Sequence, residues 1–129
     1  MKLIEIDDKV LEGLLESVMG SSAYAMWLYV CEDILTWDSP YEDRKQFFLS
    51  VMYRLMKEGR LKLAFQNKFL EGTIKEQLAL YSERWPKNEA DLAEFDFQFT
   101  QDHTTGKLID FWPLCGFVWF YENGFVEGT

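Results

Sequence analysis

The sequence predicts an α+β fold: about four to five helices, mainly N-terminal and central, packed with a small antiparallel sheet built largely from the C-terminal third. Two observations carry that expectation. Helical apolar spacing and helix-start signals dominate the first two-thirds of the chain, and period-two alternation dominates the last third. That order, helices first and strands mostly last, disfavours a parallel doubly wound sheet. No Pro/Gly/Ser-rich linker and no internal repeat divides the 129 residues, so residues 1–129 read as one globular domain.

The first helix is expected to start at Asp7, whose carboxylate can cap open amides, with Ile6 and Leu11 at staple positions. Val10, Leu11, Leu14, Leu15 and Val18 form one apolar stripe, and Gly20 offers a stop. Ser21 and Ser22 open a second segment, Ala23 to Trp37, that is apolar nearly all round and too long for an ordinary strand. It is read as a central, buried helix. Ser39-Pro40-Tyr41-Glu42 combines a capping box with proline at the first helical position. Phe47, Phe48, Val51, Met52, Leu55 and Met56 then recur at helical spacing up to Gly59.

Arg60 to Phe65 alternates with period two and reads as a strand, with Asn67-Lys68 as the turn and Phe69-Leu70 returning. Thr73-Ile74-Lys75-Glu76 is a second capping box, for a helix that stops at Trp85-Pro86. Asn88 is placed as the cap of a short acidic helix through Asp91, Leu92 and Phe95. Phe95, Phe97 and Phe99 then alternate with polar residues, as a half-buried strand would, and Thr104-Thr105-Gly106 turns the chain into a partner from Lys107 to Trp112. Gly116 to Tyr121 is a strongly β-prone aromatic run. Asn123-Gly124 after it reads as a two-residue hairpin before Phe125-Val126.

Charge sets the class of partner. The chain carries −9, so nucleic acid and anionic membrane are repelled at long range. The charge is also unevenly distributed. Residues 1–43 hold ten acids against Lys2 and Lys9, residues 44–88 hold ten Lys/Arg against four Glu, and residues 89–129 hold eight acids against Lys107. These blocks either neutralise one another in the fold, as mixed surfaces do, or leave an acidic face that steers a basic partner. Cys31 and Cys115 are the only cysteines. No signal-peptide pattern and no bilayer-length apolar run is present, which places the protein in a cytoplasm with both thiols reduced and packed as small hydrophobes.

No catalytic constellation is recognisable, and the protein reads as a non-enzyme without cofactor or metal. His103, the lone histidine, stands beside Asp102 in a loop, and adjacency alone does not build a general base. One His and two distant Cys give no zinc spacing. No calcium loop or phosphate-cradling glycine motif occurs. Glu32-Asp33, Glu42-Asp43 and Asp91 with Glu94 are carboxylate pairs, but acids are favourable at helix starts in any case. That role fits Glu42, Asp43, Glu89 and Asp91 well. It fits Glu32, Asp33 and Asp38 poorly, since they follow a very apolar segment, and these three are candidates for partner contact. Arg54, Lys57, Arg60, Lys62 and Lys68, with Phe65 and Phe69 interleaved, are similar in outline to a nucleic-acid-binding hairpin.

Two stretches resemble a known family. Glu58-Gly59-Arg60-Leu61-Lys62-Leu63, then Phe69-Leu70-Glu71-Gly72-Thr73, Glu76-Gln77 and Trp85-Pro86, together with Val118-Trp119-Phe120-Tyr121-Glu122-Asn123-Gly124, resemble short acidic bacterial proteins of unknown function associated with polymorphic-toxin and contact-dependent-inhibition immunity. The resemblance spans residues 40–129 loosely. It implies a cytoplasmic immunity protein whose partner is a cognate toxin, basic and nuclease-like. The resemblance carries over no contact residues; charge and composition give Glu32, Asp33, Asp38, Glu89, Asp91, Glu94 and Asp96 as the expected contacts, with Trp112 and Trp119 as candidate aromatic anchors for which core packing is the default. Two alternatives stand beside it: a homodimeric adaptor in which acidic and basic segments meet across chains, and a small nucleic-acid-binding protein using the basic central segment.

Overall fold

A computed structural model describes residues 1–92, 99–101, 104–105, 107–111 and 115–129. Among the described residues four α-helices lie in order: α1 (Asp8–Val18), α2 (Ala23–Tyr29), α3 (Tyr41–Lys57) and α4 (Ile74–Arg84). A four-stranded antiparallel sheet joins β1 (Leu61–Phe65), β2 (Lys68–Phe69), β5 (Gly116–Phe120) and β6 (Val126–Gly128) in the order β2-β1-β5-β6. The hairpin of β3 (Phe99–Gln101) and β4 (Leu108–Phe111) pairs separately, with a register shift between Thr100 and Gln101. The fold is therefore α+β, with β1, from the middle of the chain, inside the sheet beside the C-terminal β5. Positions 93–98, which include Phe95, Phe97 and the acids Glu94 and Asp96, lie outside the described residues. So do Asp102, His103, Gly106 and Trp112.

Local signals set most boundaries. Asp7 caps α1 by accepting from the Lys9 amide, 2.9 Å, and the staple residues Ile6 and Leu11 are both buried. Ser22 caps α2, and Thr73 and Glu76 form the reciprocal capping box of α4. Four expectations need correction. The segment Ala23–Trp37 is not one continuous helix: α2 widens into a π-helical turn at Val30–Ile34, closed by Leu35 N–H to Val30 C=O at 2.8 Å. The Ser39 hydroxyl does not cap α3, because it is engaged with the backbone amide and hydroxyl of Thr36, and Pro40 stands at the N-cap instead. The last hairpin is longer than two residues. Gly124 donates to Tyr121 C=O and takes φ +87°, Tyr121 N–H bonds Phe125 C=O, and the chain turns through three residues. The short acidic helix after Asn88 is a single 3₁₀ turn, Glu89–Asp91.

The sheet buries one face. Leu61, Leu63, Phe117 and Trp119 are at most 1% exposed and belong to one core cluster with residues of all four helices, among them Leu14, Met26, Trp27, Phe48, Leu55 and Leu78. Phe48 of α3 stacks on Phe117 at 6.4 Å and packs edge-on to Trp27 and Trp85. The N-terminal segment lies along α3, held at successive turns: Lys2 N–H donates to Gln46, Ile4 N–H to the Ser50 hydroxyl, and the Arg54 guanidinium to Ile6 C=O. Ser50, 1% exposed, returns its own proton to Gln46 C=O at 2.7 Å and is fully satisfied.

Candidate functional site

Arg44 organises the corner where the acidic segments meet. It stands in the first turn of α3, where the helix dipole disfavours a cation, and it is 2% exposed. A buried guanidinium in such a place needs a carboxylate. Glu89 supplies it, with two bonds of 2.7 Å to the two terminal nitrogens. Arg44 Nε also donates to Ser39 C=O at 2.9 Å, and one terminal nitrogen reaches Cys31 Sγ at 3.7 Å. Its guanidinium lies within 5.7 Å of the ring centroids of Trp27, Trp37 and Tyr41.

This one side chain gathers three segments that are distant in sequence. Cys31 is the neighbour of Glu32, Ser39 is the neighbour of Asp38, and Glu89 belongs to the 3₁₀ turn with Asp91. A second tie runs beside it: the Trp85 indole N–H donates to the Tyr41 hydroxyl at 2.7 Å, and that hydroxyl donates to Pro86 C=O at 2.8 Å. Burial holds the Tyr41 phenol well above its ordinary range, and burial pushes the Cys31 thiol up to about 11. Both groups therefore stay neutral at pH 7, and the charge of the corner is set by Arg44 and the acids around it.

The sequence-expected contacts divide accordingly. Glu32, Asp33 and Asp38 are exposed and make no ion pair among the described residues. Glu89 is exposed but committed to Arg44. Asp91 is half-buried, within 3.4 Å of Asn88 Nδ2. Glu94, Asp96 and Trp112 lie outside the described residues. Trp119 is not a surface anchor. It is 0% exposed, its cross-strand partner is Leu61 in the inner row, and its indole N–H donates to Ser21 C=O at 2.8 Å. The exposed aromatic of this corner is Trp37, at 47% exposure, which the sequence reading passed over. Its signal was present: a tryptophan directly before Asp38, at the end of an apolar run.

The basic central segment is largely occupied at home. Arg54 pairs with Asp8 at 2.6 Å and with Glu58, and Arg60 reaches the same Glu58 at 3.2 Å. Lys57 stands over Tyr53, and Lys62 over Phe69 and Phe120. No helix among the described residues is long and apolar enough to cross a membrane. Cys31 and Cys115 are both free and buried.

With that geometry in view, the family profile described as "Protein of unknown function, DUF596" matches residues 56–129, more than half of the chain. The chain belongs to the DUF596 family. The matched stretch of this DUF596 protein runs from the end of α3 through β6 and includes Glu89. Glu32–Asp38 and Arg44 precede it, so the acidic corner joins a family-matched element to one that the profile does not reach. Among solved structures, an uncharacterized protein conserved in bacteria, from Neisseria meningitidis, is similar over 92% of this chain and 85% of its own, with a TM-score of 0.65 and 20% identity. That likeness is one of fold. None of the curated proteins matches the sequence.

Proposed function

We propose that this DUF596 protein is a toxin-neutralising immunity protein that binds a cognate, basic, nuclease-like toxin through the acidic corner built on Arg44. The observation that carries this reading is the convergence of the 31–39 and 89–91 segments on one buried guanidinium. Glu32, Asp33 and Asp38, carried on or beside the segment that meets Arg44, stay exposed, as does Trp37. The clasp holds the carboxylates and the aromatic in place before any partner arrives, which lowers the ordering cost of binding. A net charge of −9 supports steering of a cationic partner, and the sequence resemblance to immunity proteins points the same way. The binding segments are the π-helical turn and the 36–39 turn, with Trp37 as the central anchor and Asp33 and Asp38 as the charged contacts.

The test is growth rescue. The C-terminal domain encoded immediately upstream of this gene is expressed in a bacterial cytoplasm with and without this protein. Restored growth, and a complex of the two purified chains, are expected. Reversing Asp33 and Asp38 together to lysine is expected to slow association about tenfold, with a smaller change in dissociation. Killing that continues in the presence of soluble, folded protein contradicts the proposal.

A further inference from the structure

The sheet carries a second surface with its own chemistry. Register decides which side chains share its outer side: Ala64 pairs with Phe69, Lys62 with Val118, and Phe120 with Val126. All of them alternate with the buried inner row, so they face away from the helices. Phe69 and Val126 are 51% and 49% exposed. The rings of Phe69 and Phe120 lie 6.0 Å apart, and the Lys62 ammonium stands 5.0 Å from one and 5.3 Å from the other. Lys62 is exposed and makes no ion pair among the described residues.

The solvent side of an antiparallel sheet is ordinarily polar. Contiguous exposed aromatic and aliphatic side chains on such a side mark an interaction site. Rings beside a lysine also suit single-stranded nucleic acid, but the chain's −9 charge opposes a polyanion at long range. A surface that offers an aromatic ring beside a carboxylate satisfies both the phenyl rings and the unpaired ammonium. This chain presents an exposed ring and an exposed carboxylate on neighbouring residues, at Trp37 and Asp38.

We infer that the outer face of the sheet receives the Trp37–Asp38 corner of a second copy of this chain. The two surfaces cannot meet within one copy, because the corner belongs to the helix layer and the patch faces away from it. Between copies they are complementary in charge: the patch is centred on Lys62 in the block of ten Lys/Arg against four Glu, and the corner ends the block of ten acids against two Lys. The contact joins unlike patches, the sheet face of one copy receiving the corner of the other. The inference concerns self-association and does not rest on the immunity reading. It adds that a toxin bound at the corner displaces the second copy.

The test is sedimentation equilibrium of the full chain at about 20 mM and about 300 mM salt. A dimer is expected at low salt, weakened about tenfold or more at high salt as surface charges are screened. Lys62→Glu and Asp38→Lys are each expected to abolish it, and an equimolar mixture of the two variants to restore it, since the reversed patch then meets the reversed corner and the native patch meets the native corner. Phe69→Ala, at an exposed position, weakens the dimer without a charge change. A chain that is monomeric throughout overturns the inference. So does a dimer indifferent to Lys62→Glu and Phe69→Ala, or a monomer whose Lys62-dependent ligand is a labelled oligonucleotide. Growth rescue by Lys62→Glu is expected to be intact, which separates this outcome from that of the immunity test.

Discussion

Removing the carboxylate that pairs with Arg44 tests how the corner is held. In Glu89→Ala the guanidinium, whose side chain is 3% exposed, loses both 2.7 Å bonds. Stranding one partner of a fully buried pair costs about 3–5 kcal/mol. Here the cost is lower, because the Glu89 side chain is 43% exposed, so water reaches the vacated side. Arg44 also keeps the Ser39 carbonyl and its three aromatic neighbours. The expected loss is about 2 kcal/mol, a drop of roughly 1 M in the urea midpoint for a slope of about 2 kcal/mol/M. Tryptophan fluorescence is the readout, since Trp27 and Trp37 both flank the guanidinium. Arg44→Met, alone and combined with Glu89→Ala, completes a double-mutant cycle with a coupling of about 1.5 kcal/mol. A Glu89→Ala protein within about 0.5 kcal/mol of the parent, or an additive cycle, refutes the clasp.

Three further outcomes follow from the core and the caps. Trp119→Phe removes the donor to Ser21 C=O and leaves a void in a fully buried site; a loss of about 2 kcal/mol in urea unfolding is expected. Thr73→Ala deletes half of the α4 capping box and is expected to cost about 1 kcal/mol by the same measurement. Burial raises the thiols from 9.0 to about 11 at Cys31 and about 12 at Cys115. Below pH 9 both are neutral in either state and their contribution is constant. Above it the unfolded chain ionises first, so stability falls from pH 9 towards about 12. Thiol-reagent labelling at pH 8 is accordingly expected to track global unfolding, with both cysteines protected in the native protein.

Signals confined to a few neighbouring residues were legible in the sequence. Asp7 before an apolar stripe, the Thr73–Glu76 box and the period-two run before Phe65 each gave the observed element, because the interactions that set them span only a few positions. What failed depended on a competing local partner or on distant ones. The Ser39 hydroxyl is taken by Thr36, three residues before it, so the expected cap of α3 does not form. The continuous helix to Trp37 is interrupted where Cys31 and Ser39 both meet Arg44. Trp119 illustrates a limit of periodicity: alternation places it on one face of a strand, and only the pairing with Leu61 says which face is buried. For the acidic corner, Glu32, Asp33 and Asp38 were visible as acids without a helix-start role. Their assembly with Glu89 was not, because it runs through a contact between residues 45 positions apart. A cation in the first turn of α3 was the available clue, since it sits against the helix dipole unless a carboxylate meets it.

The central claim is that the corner around Arg44 binds a basic toxin, and growth rescue with corner variants tests it most directly. The parent protein is expected to protect cells expressing the toxic domain encoded upstream. The double reversal of Asp33 and Asp38 is expected to weaken that protection while its urea midpoint stays within experimental error of the parent. Equal protection by the parent and the reversed variant would contradict the claim and move the binding surface elsewhere on the molecule.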